Sequence, residues 1–110
     1  MNMLSNMRRR ITLLSEETHI GAGGRQQKSY PLIADVWAKV EEDGNELETR
    51  ADGEIFPAKA IFMVRYSYRF AKAKAIEWRK QQYRITGMAI DRSFEPMITF
   101  TAVTKMGEKP

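Results

Sequence analysis

Ile61-Phe62-Met63-Val64-Arg65-Tyr66-Ser67-Tyr68-Arg69-Phe70 is the stretch whose reading decides the fold of this 110-residue chain. Phe62, Val64, Tyr66, Tyr68 and Phe70 occupy alternate positions, and Ile61, Met63, Arg65, Ser67 and Arg69 fill the places between them. A helix would scatter the first five around its circumference. A strand sets them in one row that can cover a core, and aromatic and β-branched side chains suit such a surface. The segment is therefore predicted to be a strand with its aromatic row turned inward.

Working outward, four further segments carry strand patterns and one more is a weaker sixth. Asp35 to Glu41 alternates Val36, Ala38 and Val40 against Trp37 and Lys39. Met97 to Thr104 sets Ile98, Phe100 and Ala102 against Thr99, Thr101 and Val103. Tyr83 to Ile90 is rich in β-formers, with Gly87 marking a bulge or a close approach. Arg10 to Ser15 offers Ile11, Leu13 and Leu14 as a first strand, and Ala75 to Arg79 is the sixth, pairing back onto Tyr83 through a turn at Lys80 to Gln82. Breakers separate these segments: Gly21, Gly23 and Gly24 in a flexible loop, then Pro31, Gly44, Gly53, Pro57 and Pro96. Asn45 to Ala51 has room for one or two helical turns but lacks an apolar stripe, and Phe70 to Ala75 reads as a basic turn. Residues 1–7 and 106–110 have no periodicity and read as mobile arms.

The expectation is one mainly β domain over residues 8–105, a small β-barrel or sandwich of five to six short strands, with a long acidic loop projecting at 41–57. Such a sheet has edges that must be protected or used, and pairing between subunits is one use.

Composition narrows the function classes. Apolar residues make up 43% and charged residues 29%, which suits a globular domain and argues against wholesale disorder. The longest apolar run, Ala60 to Val64, is far too short to span a membrane, and no apolar stretch follows the basic start to make a secretory signal. With no cysteine, disulfides, thiolate metal sites and thiol catalysis are excluded. The net charge of +4 conceals an asymmetry: Glu41, Glu42, Asp43, Glu46, Glu48, Asp52 and Glu54 face a single base, Arg50, for a local net of −6. The remaining 17 bases and 7 acids leave the body at +10. Local field, more than the total, steers contacts.

Catalytic motifs are lacking. The single histidine, His19, stands beside the glycine loop, where a solvated side chain is the ordinary reading. Gly24-Arg25-Gln26-Gln27-Lys28-Ser29 fails as a phosphate loop, because Gln27 takes the place of the glycine before Lys-Ser and Tyr30-Pro31 blocks the helix that should follow. The acids after Val40 lack the spacing of a calcium loop. No catalytic residue, metal or cofactor is expected. A nucleic-acid face is a real alternative: Arg8, Arg9 and Arg10 form a basic arm, and Arg65, Arg69, Lys72, Lys74, Arg79, Lys80 and Arg84 interleave with Tyr66, Tyr68, Trp78 and Tyr83. It competes with the core for the same aromatic row. Trp37 and Trp78 read as packing anchors or interface residues.

The order of segments adds a further signal. Met7-Arg-Arg-Arg-Ile-Thr-Leu-Leu14, Val36-Trp37-Ala38-Lys39-Val40, Gly44-Asn45-Glu46, Ile61-Phe62-Met63-Val64-Arg65-Tyr66, Ile76-Glu77-Trp78, Tyr83-Arg84-Ile85-Thr86-Gly87 and Asp91 follow one another, and the last strand ends near Lys105. In this the chain resembles the phage head–tail joining family, the head-closure or stopper proteins of long-tailed phages and gene transfer agents. Gln81 and Gln82 depart from the glycine and basic residue that the family often has there. The resemblance implies a virion neck protein, assembled in the host cytoplasm as a ring of twelve β-barrel-like copies. A portal-adaptor ring would lie above it, a tail terminator or tail tube below, and a loop from each copy would help retain packaged double-stranded DNA. The matching loop is the excursion after Val40, so Glu41, Glu42, Asp43, Glu46, Glu48, Arg50, Asp52 and Glu54 become channel-loop candidates. Arg8, Arg9, Arg10, Trp37, Arg65, Arg69 and Trp78 are the interface candidates. A tail terminator or tail-completion protein, or a β-barrel that binds single-stranded nucleic acid, are the alternative readings.

Overall fold

A computed structural model of the chain describes residues 7–42, 47–49, 53 and 55–104. Six strands close into an antiparallel barrel: β1 (Arg9–Leu14), β4 (Leu32–Glu42), β7 (Lys59–Arg65), β10 (Met97–Val103), β9 (Gln81–Asp91) and β8 (Ala75–Trp78), with β8 returning to β1. Two short hairpins stand apart from it, β2 (Glu17–Ile20) with β3 (Gln26–Ser29), and β5 (Leu47–Thr49) with β6 (Ile55–Pro57). The barrel expectation holds, and closure settles its form. Every main-sheet strand has a neighbour on both sides, so the barrel has no edge strand to lend to another copy.

Period-2 alternation fills the interior. Ile11 and Leu13 from β1, Phe62 and Val64 from β7, Ile98, Phe100 and Ala102 from β10, Tyr83 from β9 and Ile76 from β8 are fully buried together. Ala38, Ala60, Ala73 and Ala102 are the small residues of the same cluster, which also holds the rings of Phe62, Trp78 and Tyr83. Phe62 meets Trp78 and Tyr83 edge to face, at 5.8 and 5.4 Å between centroids.

The deciding stretch is shorter as a strand than its pattern predicted. Pairing of β7 with β10 ends at Arg65↔Met97, after which the chain turns through Ser67–Arg69 into a single 3-10 turn at Phe70–Lys72. Phe62 and Val64 are inside as expected, and Tyr66 and Phe70 pack partly against the core. Tyr68, past the end of the strand, is 68% exposed. The sixth strand is real, but its turn lies one residue earlier than expected: Trp78 pairs with Gln81, and Arg79 and Lys80 form a two-residue turn with φ of 54° and 65°. Positive φ at both central positions is the geometry that matches the twist of a tight hairpin, and Asn-Gly is its usual sequence.

Gly87 was read as a bulge or a close approach. The bulge is what forms: Thr101 pairs with Gly87 and Ala102 with Ile85, so Thr86 is the extra residue. A Cβ on Gly87 would meet Thr101 at an ordinary 3.8 Å. Two sequence readings are corrected. The stretch around Gly21 to Gly24 is the tip of the β2–β3 hairpin, ordered by Gly21 N–H donating to Arg25 O at 2.7 Å and by positive φ at Gly23 and Gly24. The helical turns considered for 45–51 give way to strand β5 at Leu47–Thr49.

The pairing registers give the barrel two unlike ends. One end carries the β1–β4 connection with the β2–β3 hairpin, the 66–74 connection, and the 92–96 turn. The other carries the β5–β6 excursion, the Arg79–Lys80 turn, and the entry and exit of the chain.

Candidate functional site

The acidic excursion begins where β4 runs out. Glu41 and Glu42 are exposed on its last two positions, paired with Ile61 and Ala60, and Lys39 Nζ lies 3.1 Å from Glu41 Oε1. Glu48 sits on β5 opposite Phe56. Asp43, Glu46, Arg50, Asp52 and Glu54, also named from the sequence, lie outside the described residues.

The return of the excursion to the barrel is built firmly. Tyr83, wholly inside, donates its hydroxyl to the carbonyl of Pro57 at 2.7 Å. Thr104 N–H donates to Ala58 O at 2.9 Å, and Pro57 and Ala58 are both buried. A buried phenol needs a partner, and taking it from the foot of the hairpin couples excursion and core. This role is not one that the sequence alone assigns to Tyr83. Its signal in the sequence is a Tyr at an inward-facing position of a strand whose other residues are exposed or half-buried.

The interface candidates mostly converge on one outer face. Trp37 is opposite Arg10 in the β1–β4 register, and the Arg10 guanidinium lies 5.3 Å from its ring centre. Trp37 remains 54% exposed. Together with Met7, Arg8, Asp35, Val36, Arg65 and Phe70 these two line a groove of about 620 Å³. Asp35 accepts a hydrogen bond from Thr12 Oγ1 at 2.6 Å. Arg9 lines an adjoining groove with Arg8, Lys39 and Val40. Arg69 is used differently, donating through Nη2 to Ile33 O at 2.9 Å. Trp78 lies in the core at 8% exposure, with the Arg79 guanidinium 5.4 Å from its ring centre, so its surroundings are those of a packing residue.

At the opposite end, Asp91 Oδ1 accepts from Ser93 N–H at 2.9 Å and from Ser93 Oγ at 2.6 Å. The side-chain and backbone hydrogen bonds from Ser93 hold the Asp91 carboxyl below its ordinary pKa. The turn they order presents Phe94 at 95% exposure. His19 Nε2 lies 3.1 Å from Ser29 Oγ and 3.5 Å from Glu17 Oε2. Both partners share one ring nitrogen on an exposed hairpin, so this is not the relay of a Ser-His-acid triad, which needs opposite nitrogens. Among the described residues no group of three or more His, Asp or Glu is placed to hold a metal ion.

No curated protein sequence matches the chain. Among solved structures, one chain in the virion of a native gene transfer agent particle superposes with a TM-score of 0.60, at 16% identity, over 86% of this chain and 91% of that one. At that identity the likeness shows the fold, and it agrees with the barrel described above. The family described as phage head completion protein matches residues 3–105, nearly the full length. The barrel and both hairpins fall within that match, and the chain belongs to the phage head completion proteins, a family of structural virion components.

Proposed function

We propose that this protein is a head-closure ring subunit, which joins the portal and adaptor of a filled head to the tail and helps retain the packaged double-stranded DNA. Family membership supports a structural role that involves other head and tail proteins. The observation that carries the finer reading is the acidic hairpin rooted in the barrel by Tyr83 and Pro57. A segment of net −6 turned toward a channel repels DNA phosphates within about a Debye length, roughly 8–10 Å in physiological salt. DNA then passes without sticking, whereas a basic lining would bind it through counterion release. Closure is steric, by hairpins from the copies of a ring meeting near its axis, with twelve copies as the family resemblance implies.

The nucleic-acid reading loses most of its platform, because Trp78 and Tyr83 are buried and Tyr66 is partly so, which leaves Tyr68 as the exposed ring of the four. The test is to replace Glu41, Glu42, Asp43 and Glu46 with their amides in assembling particles. Ring assembly should persist while DNA retention or ejection changes. Loss of assembly with normal retention in the rings that do form would refute the assignment.

A further inference from the structure

We propose that the groove around Trp37 receives the acidic segment Glu41–Glu54 of a second copy of this chain, making a head-to-tail contact between neighbours. The groove combines what buried interface centres favour. It has an exposed tryptophan backed by arginine and an apolar lining from Met7, Val36 and Phe70, with Arg10 and Arg65 on it. The adjoining groove continues the cationic track through Arg9 and Lys39.

Charge complementarity names the occupant. The chain has one strongly acidic stretch, with seven acids to one base, and the face that would meet it is basic. A patch that fits a different patch on the next copy is a heterologous contact, which closes into a ring when the rotation permits. The pairing also removes a difficulty of the channel reading, on which this inference partly rests. Segments of −6 gathered around one axis repel one another unless cations from the adjacent copy lie beside them. A β5–β6 ribbon has two faces, so one can meet the neighbour while the other fronts the channel. A nucleic-acid strand fits the groove less well. One face of Trp37 already carries Arg10, and the Asp35 carboxylate would stand against a phosphate.

The test uses the full-length chain in two charge-reversed forms, R10E/R65E for the groove and E48K/D52K/E54K for the segment, which leaves the channel-test acids Glu41, Glu42, Asp43 and Glu46 unchanged. Self-association is followed by sedimentation at low and high salt. A peptide of residues 41–57 is titrated in parallel while Trp37 emission is read, with W37F as the control for Trp78. The wild-type chain should self-associate more at low salt, and each variant alone should do so at least about tenfold less, the effect of one close charge pair. Mixing the two variants should restore association to near the wild-type level, because each then offers the other a matched patch. The peptide should change Trp37 emission in the wild-type chain and not in R10E/R65E. Three results would overturn the proposal: no rescue on mixing, a peptide without effect on Trp37, or loss in R10E/R65E of oligonucleotide binding alone, with self-association intact. None of these readouts involves DNA retention, so their failure leaves the head-closure reading standing.

Discussion

Replacing Tyr83 with Phe removes one oxygen from the centre of the barrel and should loosen the foot of the acidic hairpin. The ring keeps its contacts, at 5.4 Å from Phe62 and 6.2 Å from Trp78, so little apolar packing is lost. What disappears is the 2.7 Å bond to Pro57 O, a buried acceptor. A neutral hydrogen bond contributes about 1 kcal/mol net, and leaving a buried carbonyl without it raises the cost to about 1–3 kcal/mol. In a domain of this size each kcal/mol moves Tm by about 4–8 °C, so Y83F should melt about 4–24 °C lower by circular dichroism.

The loss should also have an address. Thr104 N–H donates to Ala58 O beside the broken bond, so its amide should lose more protection than the global loss of stability, which is all that the Ile98 and Phe100 amides should show. Assembled particles carrying Y83F should then lose DNA retention at a lower temperature than wild type. A Tm shift under about 2 °C, with Thr104 exchange unchanged, would mean that the phenol does not anchor the excursion.

Other consequences are checked more simply. Lys80→Gly relieves a non-glycine residue at φ 65°, which costs about 1–2 kcal/mol, and gives back about 0.5–1 in unfolded-state entropy. It should therefore stabilise the domain by roughly 0.5–1 kcal/mol in urea titrations. Phe62→Ala empties the centre of the aromatic cluster and should cost about 3–5 kcal/mol, a large part of the 5–15 kcal/mol typical of a whole domain. Ser93→Ala should raise the Asp91 pKa toward its ordinary value in an NMR titration. Because that folded-state pKa is depressed, the contribution of Asp91 is present above the unfolded carboxylate range. It is lost as pH falls through the folded pKa, and the Ser93→Ala variant should show less of that acid dependence.

The parts of the fold that were legible in the sequence are those whose residues choose an inside and an outside. Ile98, Phe100 and Ala102, or Phe62 and Val64, state their face by alternation, and each turned inward as read. The β2–β3 hairpin was missed because it has no inside. All its residues are exposed or nearly so, Ile20 among them, and a strand without a buried face leaves no period to detect. Tyr68 was misplaced for the complementary reason, since alternation runs on in the sequence after the β10 partner has ended at Met97. On the functional side, Arg8, Arg10, Trp37 and Arg65 were named one by one from charge and aromatic character. Their meeting in one groove depends on the β1–β4 register, which only the closed barrel supplies.

Closure also changes how such a molecule can assemble. An open sheet could extend a ring by pairing its edge strands with a neighbour, through backbone bonds that are indifferent to side chains. Here β8 and β1 consume the last edges of the main sheet. Among the described residues, the unpaired edges that remain belong to the β2–β3 and β5–β6 hairpins, at opposite ends of the barrel, and to strand stretches that outrun a neighbour, such as 86–91 of β9 on the side away from β10. Contacts between copies therefore fall to side chains on the barrel wall and to those two ribbons. Side-chain contacts are selective by charge, and the sequence has separated its charges sharply, −6 between Glu41 and Glu54 against +10 elsewhere. A closed barrel with segregated charge can recognise a copy of itself in one orientation while offering no edge strand of its main sheet for indiscriminate pairing.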